Sequence, residues 1–576
     1  MSDPIVTTFA TLTSVGGESI VVAPSGDHTL AISLAGAGAV AATVDWLGSN
    51  DLSTWVLIAQ MPMSGTNGAS AGASTTLDYA YWKLRANSLT GTSVAGAVAS
   101  QAASRSSSIA SITPVAAGVA LLASVYAQVM PLDIGQPDGV ALYDATTTAS
   151  ANSVIGSSSY AGKFRSTDIG KTCVVIPYTD TGTTARYGTI IAVAADGSTC
   201  TTSLSGSPGA LTNATFIFGT DYGPKISNAL AAAALSPTRA VLQLPLGIMC
   251  STLQHVQPTG VTVRGFANNA TGGKAKDFRH YGSSVVATNF FAAGAFWKCG
   301  DAGVSDPRGT TLEYLNIDSA NLHVRTIDCS SARTAVVTHV TGVRGVGETY
   351  YGGPTDHTSY CTFLGSNNGN VAVVSGDGMF THNKVIGAGT TFACIKCSNP
   401  TDVVIKHNHV WHDSANSAFT GYGIWVSFNS GVTNSCCVDI EGNKIDTTYG
   451  HAYYISASGN AVGRGVSIRG GVCFNNDNVT NNTGSILGLS IASGSSLKGL
   501  LLRDVNGAAS FNDPSKGQWA YLVDNSASAG TIVGFSTGGC VVSGCNALYS
   551  NITPDVDDVN IVMVGTGTAL TKSTRI

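Results

Sequence analysis

Asp377-Gly-Met-Phe-Thr-His-Asn-Lys-Val385 and Asp402-Val-Val-Ile-Lys-His-Asn-His-Val410 are two copies of one pattern, set 25 residues apart. Asp, an apolar residue, His, Asn and Val recur in order. Cys437-Val-Asp-Ile-Glu-Gly-Asn-Lys-Ile445 follows 35 residues on, and Gly465-Val-Ser-Ile-Arg-Gly-Gly-Val-Cys473 another 28. Repeats of roughly 20–50 residues are the mark of a solenoid. Within each copy apolar residues alternate, as a strand with one buried face requires. Val403, Ile405, Val438, Ile440, Val466 and Ile468 are therefore predicted to face inward. Asn383, Asn408 and Asn443 are predicted to stack as an amide ladder at a corner, which demands parallel pairing of successive copies. Thr381, Lys406, Glu441 and Arg469 form the outward column two residues before each corner. At about 4.8 Å per strand, Lys, Glu and Arg would make an ion ladder.

Composition agrees with an all-β solenoid. Of 576 residues, 68 are Gly and only 11% are charged, and of 34 acidic residues just Glu18, Glu313, Glu348 and Glu441 are glutamates. Helix surfaces are usually rich in Glu and Lys. A formal net charge of −5 with 44% hydrophobic residues argues against disorder. The mild acidity argues against a nucleic-acid partner, which needs a basic stripe. No run reaches the roughly 18–20 apolar residues of a membrane span, so no membrane insertion is expected. The N-terminus shows no secretory leader, and the odd number of cysteines, 13, argues against a disulfide framework. Cys394-Ile-Lys-Cys397 lacks the partners of a zinc knuckle, and His407, His409 and His412 are not a recognised ligand triad. The chain reads as carrying no metal and no cofactor. In the vicinal pair Cys436-Cys437, alternation predicts one thiol inside and one outside.

Residues 1–100 read as short strands of a β-sandwich, with Trp46, Trp55 and Trp82 as core or as sugar-stacking faces. Residues 101–132 form a linker or oligomerising neck, in which Val115, Val119, Leu122, Tyr126 and Val129 keep a heptad spacing. Residues 133–222 are a β-rich entry segment, and residues 223–565 the solenoid, opened by a capping helix at 223–236. In that helix Ile226, Leu230 and Ala234 share a face, Pro224 suits the first turn and Pro237 ends the run. Residues 566–576 remain as a C-terminal tail.

Two resemblances add to this. Gly48-Ser-Asn-Asp-Leu-Ser-Thr-Trp55, followed by Tyr81-Trp-Lys-Leu-Arg-Ala-Asn-Ser-Leu-Thr-Gly-Thr92, resembles a small β-sandwich of bacteriophage virion proteins. Phe164-Arg-Ser-Thr-Asp-Ile-Gly-Lys171, Gly188-Thr-Ile-Ile-Ala-Val193, Gly219-Thr-Asp221, Leu242-Gln-Leu-Pro-Leu-Gly-Ile248 and Pro258-Thr-Gly-Val-Thr-Val-Arg-Gly265 resemble the entry segment of pectate-lyase-like right-handed β-helix proteins. Tyr222 and Leu246 depart from that pattern, where an Asp and a small residue are usual. Phage tail spikes and tail fibres often carry this segment. The resemblance implies an N-terminal β-sandwich followed by a right-handed parallel β-helix, in a virion tail protein assembled in the host cytoplasm as a homotrimer. It implies attachment to other phage tail proteins through the N-terminal domain. It also implies recognition of a bacterial surface polysaccharide: capsule, exopolysaccharide or lipopolysaccharide. A structural or decorating virion component without enzymatic activity is the alternative.

The residues leave cleavage open. Asp439 and Glu441, two apart on one strand, have Cα atoms about 7 Å apart, within the range in which paired carboxyls run glycoside hydrolysis. Asp413 and Asp446 lie just past the equivalent corners. These four acids are the catalytic candidates, for a hydrolase in preference to a lyase. Trp411, His412, Trp425, Tyr449, His451 and Tyr453 are the substrate-binding candidates, since aromatics beside acids suit a carbohydrate groove.

Overall fold

The computed structural model describes residues 5–564 except 23–26, 50–51, 53, 76–78, 80, 102–127, 133–134, 179–184, 236–239, 269–274, 292–293, 301–308, 367–368, 388–391, 412–420, 430–434, 447–449, 477–484, 510–517, 524–529, 539, 544, 551–555 and 558–561. It divides into two compact units, residues 1–133 with 229–243, and residues 134–228 with 244–576.

In the first unit the long strand Asp27–Ser49 pairs along its whole length with Val56–Thr75. Its first half also pairs with Ser93–Gln101 and its second half with Tyr81–Thr90. Ile5–Thr8 extends the former edge and Glu18–Val22 the latter. Two antiparallel layers thus share one bent hairpin over one core. Leu30, Ile32 and Leu34 come from one half, Val44, Trp46, Trp82 and Leu84 from the other. Trp46 and Trp82 are fully buried, with ring centroids 4.8 Å apart, so they are core rather than sugar platforms. Trp55 is half-buried, with the Lys83 ammonium 4.3 Å from its ring centroid. The expected neck lies outside the described residues up to 127. Val129, its last heptad position, belongs to the strand Gln128–Pro131, which pairs with Ile5–Thr8 and Ala240–Gln243.

The second unit opens with the entry segment as a closed six-stranded barrel, in which Val140–Thr147, Val154–Gly156, Thr199–Leu204, Arg186–Val193, Thr172–Ile176 and Ala214–Gly219 pair in a ring. Tyr143 ties this barrel to the coils. Its hydroxyl accepts from the His280 backbone N–H (2.7 Å), and His280 and Arg344 converge on the buried carboxylate of Asp318 at 2.8 and 2.7 Å. The helix runs Gly223–Ala234, and its first N–H is capped by the Asp221 carboxylate at 2.9 Å. Ile226, Leu230 and Ala233 are buried, the last in place of the expected Ala234, because three-and-four spacing keeps one face. Ser227 reaches His255 in the opening coil at 3.3 Å.

From Gly247 the chain winds through three parallel sheets in turn. The first sheet runs from Val261–Arg264 through Thr401–Lys406 and Cys436–Glu441 to Val556–Asp557. The second runs from Gly247–Ser251 through His409–Trp411 to Val562–Val564. The third runs from His255–Gln257 through Tyr422–Phe428 to Cys545–Ser550. This is a parallel β-helix, in which crossovers are overwhelmingly right-handed. The predicted register holds: Thr381, Lys406, Glu441 and Arg469 are successive partners. Val403, Ile405, Val438, Ile440, Val466 and Ile468 are all at most 1% exposed. Each such side chain stabilises the stack by about 1.5–3 kcal/mol.

The Asn ladder is present at the corner between the first and second sheets. The Asn383 backbone N–H donates to Asn408 Oδ1 and that of Asn408 to Asn443 Oδ1, both at 2.9 Å. Their Nδ2 groups donate to Thr358, Phe380 and Ile405 carbonyls at 2.9–3.0 Å. The left-handed backbone at this corner belongs to the residue before each Asn, His382 (φ 56°), His407 (φ 55°) and Gly442 (φ 64°). That turn sends the preceding side chain outward and leaves the Asn to point in. Tyr314, His339, Tyr360, His382 and His407 consequently stack ring on ring, with centroids 4.7–5.3 Å apart. His407 is one end of this column, while His409 lies on the second sheet.

Candidate functional site

On the outer face of the first sheet, Lys406 Nζ lies 2.7 Å from Asp439 Oδ2 and 2.8 Å from Glu441 Oε2. From the other side, Arg469 Nη2 lies 2.7 Å from Asp439 Oδ1 and 3.5 Å from Glu441 Oε2. Burial alone would raise the Asp439 pKa, but hydrogen bonds and charge from both cations outweigh it and hold the carboxyl below its ordinary value. The hydrogen bond from Lys406 does the same for Glu441. This is the predicted ion ladder, extended to include Asp439. Two carboxylates held ionised suit a nucleophile or base, and neither is poised as a proton donor.

The third sheet presents a different surface. Its strands turn a corner, so residues one and four of each segment point outward while the two between point inward. Arg325-Thr-Ile-Asp328, Glu348-Thr-Tyr-Tyr351, Asn370-Val-Ala-Val373, Ala393-Cys-Ile-Lys396, Tyr422-Gly-Ile-Trp425 and His451-Ala-Tyr-Tyr454 stack in this register, with Asn370, Val373 and Ala393 buried at the middle of the face. Tyr422 lies against Tyr454 (4.2 Å between centroids, 20° between planes) and against His451 (5.5 Å, 3°). Trp425 is turned 73° from Tyr422 and 53° from Tyr454, and its indole N–H donates to Ser456 Oγ at 2.8 Å. The Lys396 ammonium sits 4.1 Å from the Trp425 ring centroid, and burial lowers its pKa. Farther along the same face, Arg325 bridges Asp328 (2.8 Å) and Glu348 (3.3 Å) and packs over the Tyr351 ring at 3.6 Å. Burial raises the Glu348 pKa despite that arginine.

The candidate residues therefore fall on three different sheets. Asp439 and Glu441 lie on the first. Trp411 and Asp446 are partners on the second, where Trp411 packs beside Phe278, Val343, Leu364 and Ile386. Trp425 and His451 lie together on the third. Tyr453 is 1% exposed and points into the solenoid, so it is a core residue; its neighbour Tyr454 takes the outward place, in step with the alternation of Tyr453–Ala457. His412, Asp413 and Tyr449 lie outside the described residues. Sequence reasoning missed Tyr422, Tyr454 and Lys396 as one platform, and missed the Arg325, Asp328, Glu348 and Tyr351 cluster. The outward–inward–inward–outward tetrapeptide was the signal that would have found them. Cys394 and Cys397 are fully buried, and burial pushes both thiols up to about 12.

No family model matches this chain, and no curated protein matches it. Among solved structures it is similar to the catalytic unit of a thermostable GH87 α-1,3-glucanase from Streptomyces thermodiastaticus, at 11% identity over 98% of this chain and 90% of that one, TM-score 0.39. It is also similar to the A-module of the mannuronan C-5 epimerase AlgE6 of Azotobacter vinelandii, at 12% identity over 61% and 96%, TM-score 0.39. A third is the enzymatically active domain of tailspike protein 2 of bacteriophage CBA120, at 12% identity over 63% and 52%, TM-score 0.35. Likenesses this distant assign no activity to the chain. Its own strand register defines it as a parallel β-helix protein with an outward aromatic and cationic band.

Proposed function

We propose that the protein is a phage tail spike or tail fibre whose solenoid recognises a bacterial surface polysaccharide during host adsorption. The observation that carries this reading is the band on the third sheet, where Tyr422, Trp425, His451 and Tyr454 gather beside Lys396. Aromatic surface takes the C–H faces of sugars, and hydroxyls, imidazole and ammonium hold their polar groups. Two consecutive coils, Tyr422–Phe428 and Tyr453–Ala457, bring these rings together on one face, a surface on which a glycan chain can lie. In this reading the N-terminal sandwich attaches the protein to other tail components and a homotrimer multiplies weak contacts into avidity.

Binding without cleavage is the version favoured by the first sheet, because Lys406 and Arg469 pair with both Asp439 and Glu441 and leave the two without a proton donor. Asp413 and Asp446 remain the other candidates for proton transfer. Purified protein is incubated with capsule, exopolysaccharide and lipopolysaccharide preparations, and both retention and product size are measured. The proposal expects retention of at least one glycan class and at least tenfold weaker retention in Trp425→Ala/Tyr454→Ala, about 1.4 kcal/mol of binding. Equal retention by the wild type and the double variant would overturn it.

A further inference from the structure

We propose that Asp402, Cys436 and Cys437 form a site for a thiophilic divalent cation, zinc being the representative, on the outside of the first sheet. One ligand atom from each residue, a carboxylate oxygen and two sulfurs, lies within 4.8 Å of the others. Among the described residues no other group of His, Cys, Asp and Glu meets that condition. Two thiolates and a carboxylate form a donor set that zinc accepts in a tetrahedron, leaving a fourth position for water.

The backbone shows how the two thiols come to point the same way. Thr401 pairs with Cys436 and Val403 with Val438, so Asp402 and Cys437 face each other across adjacent coils. Both are left-handed, at φ 50° and 62°. The same place in the next three coils is taken by Gly465, Gly499 and Gly534, at φ 60–73°. Glycine holds that conformation without penalty, and Asp tolerates it, whereas cysteine does so against its preference. The kink breaks the in–out alternation, so the expected inward thiol does not exist: Cys437 is exposed and Cys436 half-buried, while the other cysteines among the described residues are buried. A strained cysteine at a glycine position, aimed at a carboxylate on the neighbouring coil, is the kind of outlier that points to function. A bound cation would join two consecutive coils across the kink.

The test is a zinc titration of the full chain, reduced and stripped of metal, against a chromophoric chelator, with cadmium as a second probe for thiolate charge-transfer absorption. The expected result is one zinc per chain, a thiolate band with cadmium, and a thermal midpoint raised by zinc. Cys437→Gly installs the residue of the following coils, so it should fold while binding zinc at least tenfold more weakly. Asp402→Asn should also weaken binding. No zinc uptake by the reduced wild type, or stoichiometric uptake undiminished in Cys437→Gly, would overturn the site. So would a Cys436–Cys437 disulfide that forms in air while the reduced chain ignores the metal.

Discussion

Asn408→Ala removes the middle rung of the corner ladder, and its cost can be worked from the bonds it breaks. Asn408 Oδ1 accepts the Asn383 backbone N–H at 2.9 Å, and Asn408 Nδ2 donates to the Phe380 carbonyl at 2.9 Å. Asn383 and Phe380 are 2% and 1% exposed, so water cannot replace the lost partner without opening the corner. Each buried group left unsatisfied costs about 1–3 kcal/mol, giving about 2–6 kcal/mol for the pair. The backbone N–H of Asn408 keeps its bond to Asn443 Oδ1, so the damage falls on the coil side toward Asn383. In a solenoid each coil contacts only its neighbours, and opening is local. Native-state hydrogen exchange is therefore the assay. The amide of Asn383 should exchange at least about 30-fold faster, equivalent to about 2 kcal/mol, while amides near Val285 stay unchanged. Asn506→Ala, at an exposed position on the second sheet, is the control. A change below tenfold at Asn383, or one no larger than in the control, would refute the reasoning that this ladder holds the corner.

Three further outcomes follow from the same structure. Tyr453→Ala should destabilise the chain by about 3–5 kcal/mol, as loss of a large core aromatic does, whereas Tyr454→Ala should leave the unfolding midpoint nearly unchanged and weaken glycan retention. Asp439→Asn should cost no more than about 1 kcal/mol, and less at high salt, because the ladder is solvent-exposed; denaturant midpoints at two ionic strengths check this, and glycan shortening abolished by the substitution would return Asp439 to a catalytic role. Asp356 is buried, and burial raises its pKa to about 7 although Gly353 and Ala335 N–H groups donate to it. The folded state then binds the proton more tightly than the unfolded state, so this carboxyl's contribution is present at low pH and is lost as pH rises from about 4 to about 7. Subtracting the pH–stability curve of Asp356→Asn from that of the wild type should leave that falling slope, and a flat or rising difference would contradict it.

The first sheet was legible in the sequence because it has two independent markers per coil. Val403 and Ile405, Val438 and Ile440, and Val466 and Ile468 alternate, and Asn383, Asn408 and Asn443 mark the corner. Asn serves there in three successive coils because its side chain both accepts from and donates to the backbone of the preceding coil, so the letter itself recurs. The third sheet carries no such marker. Its inward positions accept Ile395, Ile424 or Tyr453 alike, and its outward positions are free to vary. Its bend replaces two-residue alternation by one out, two in, one out at the start of a segment, although within Tyr453–Ala457 alternation holds, with Tyr453, Ile455 and Ala457 inward and Tyr454 outward. The spacing between successive copies also varies, at 25, 35 and 28 residues, which hides the alignment of Tyr422 with His451 and Trp425 with Tyr454. The vicinal cysteines failed for a related reason. A left-handed residue resets which face its neighbours occupy, and nothing in the identity of Cys437 announces that conformation. Asp439 and Glu441 lie on the outer face beside Lys406 and Arg469, and their ion pairing follows from the register that the sequence shows.

The central claim is that a glycan lies along the outer face of the third sheet. A structure of the full chain with an oligosaccharide fragment of a retained polysaccharide tests it most directly. Sugar density is expected against Trp425 and Tyr454, with a polar or acidic substituent within hydrogen-bond reach of Lys396 Nζ. Sugar bound instead across Asp439 and Glu441 on the first sheet, with the third sheet bare, would contradict it.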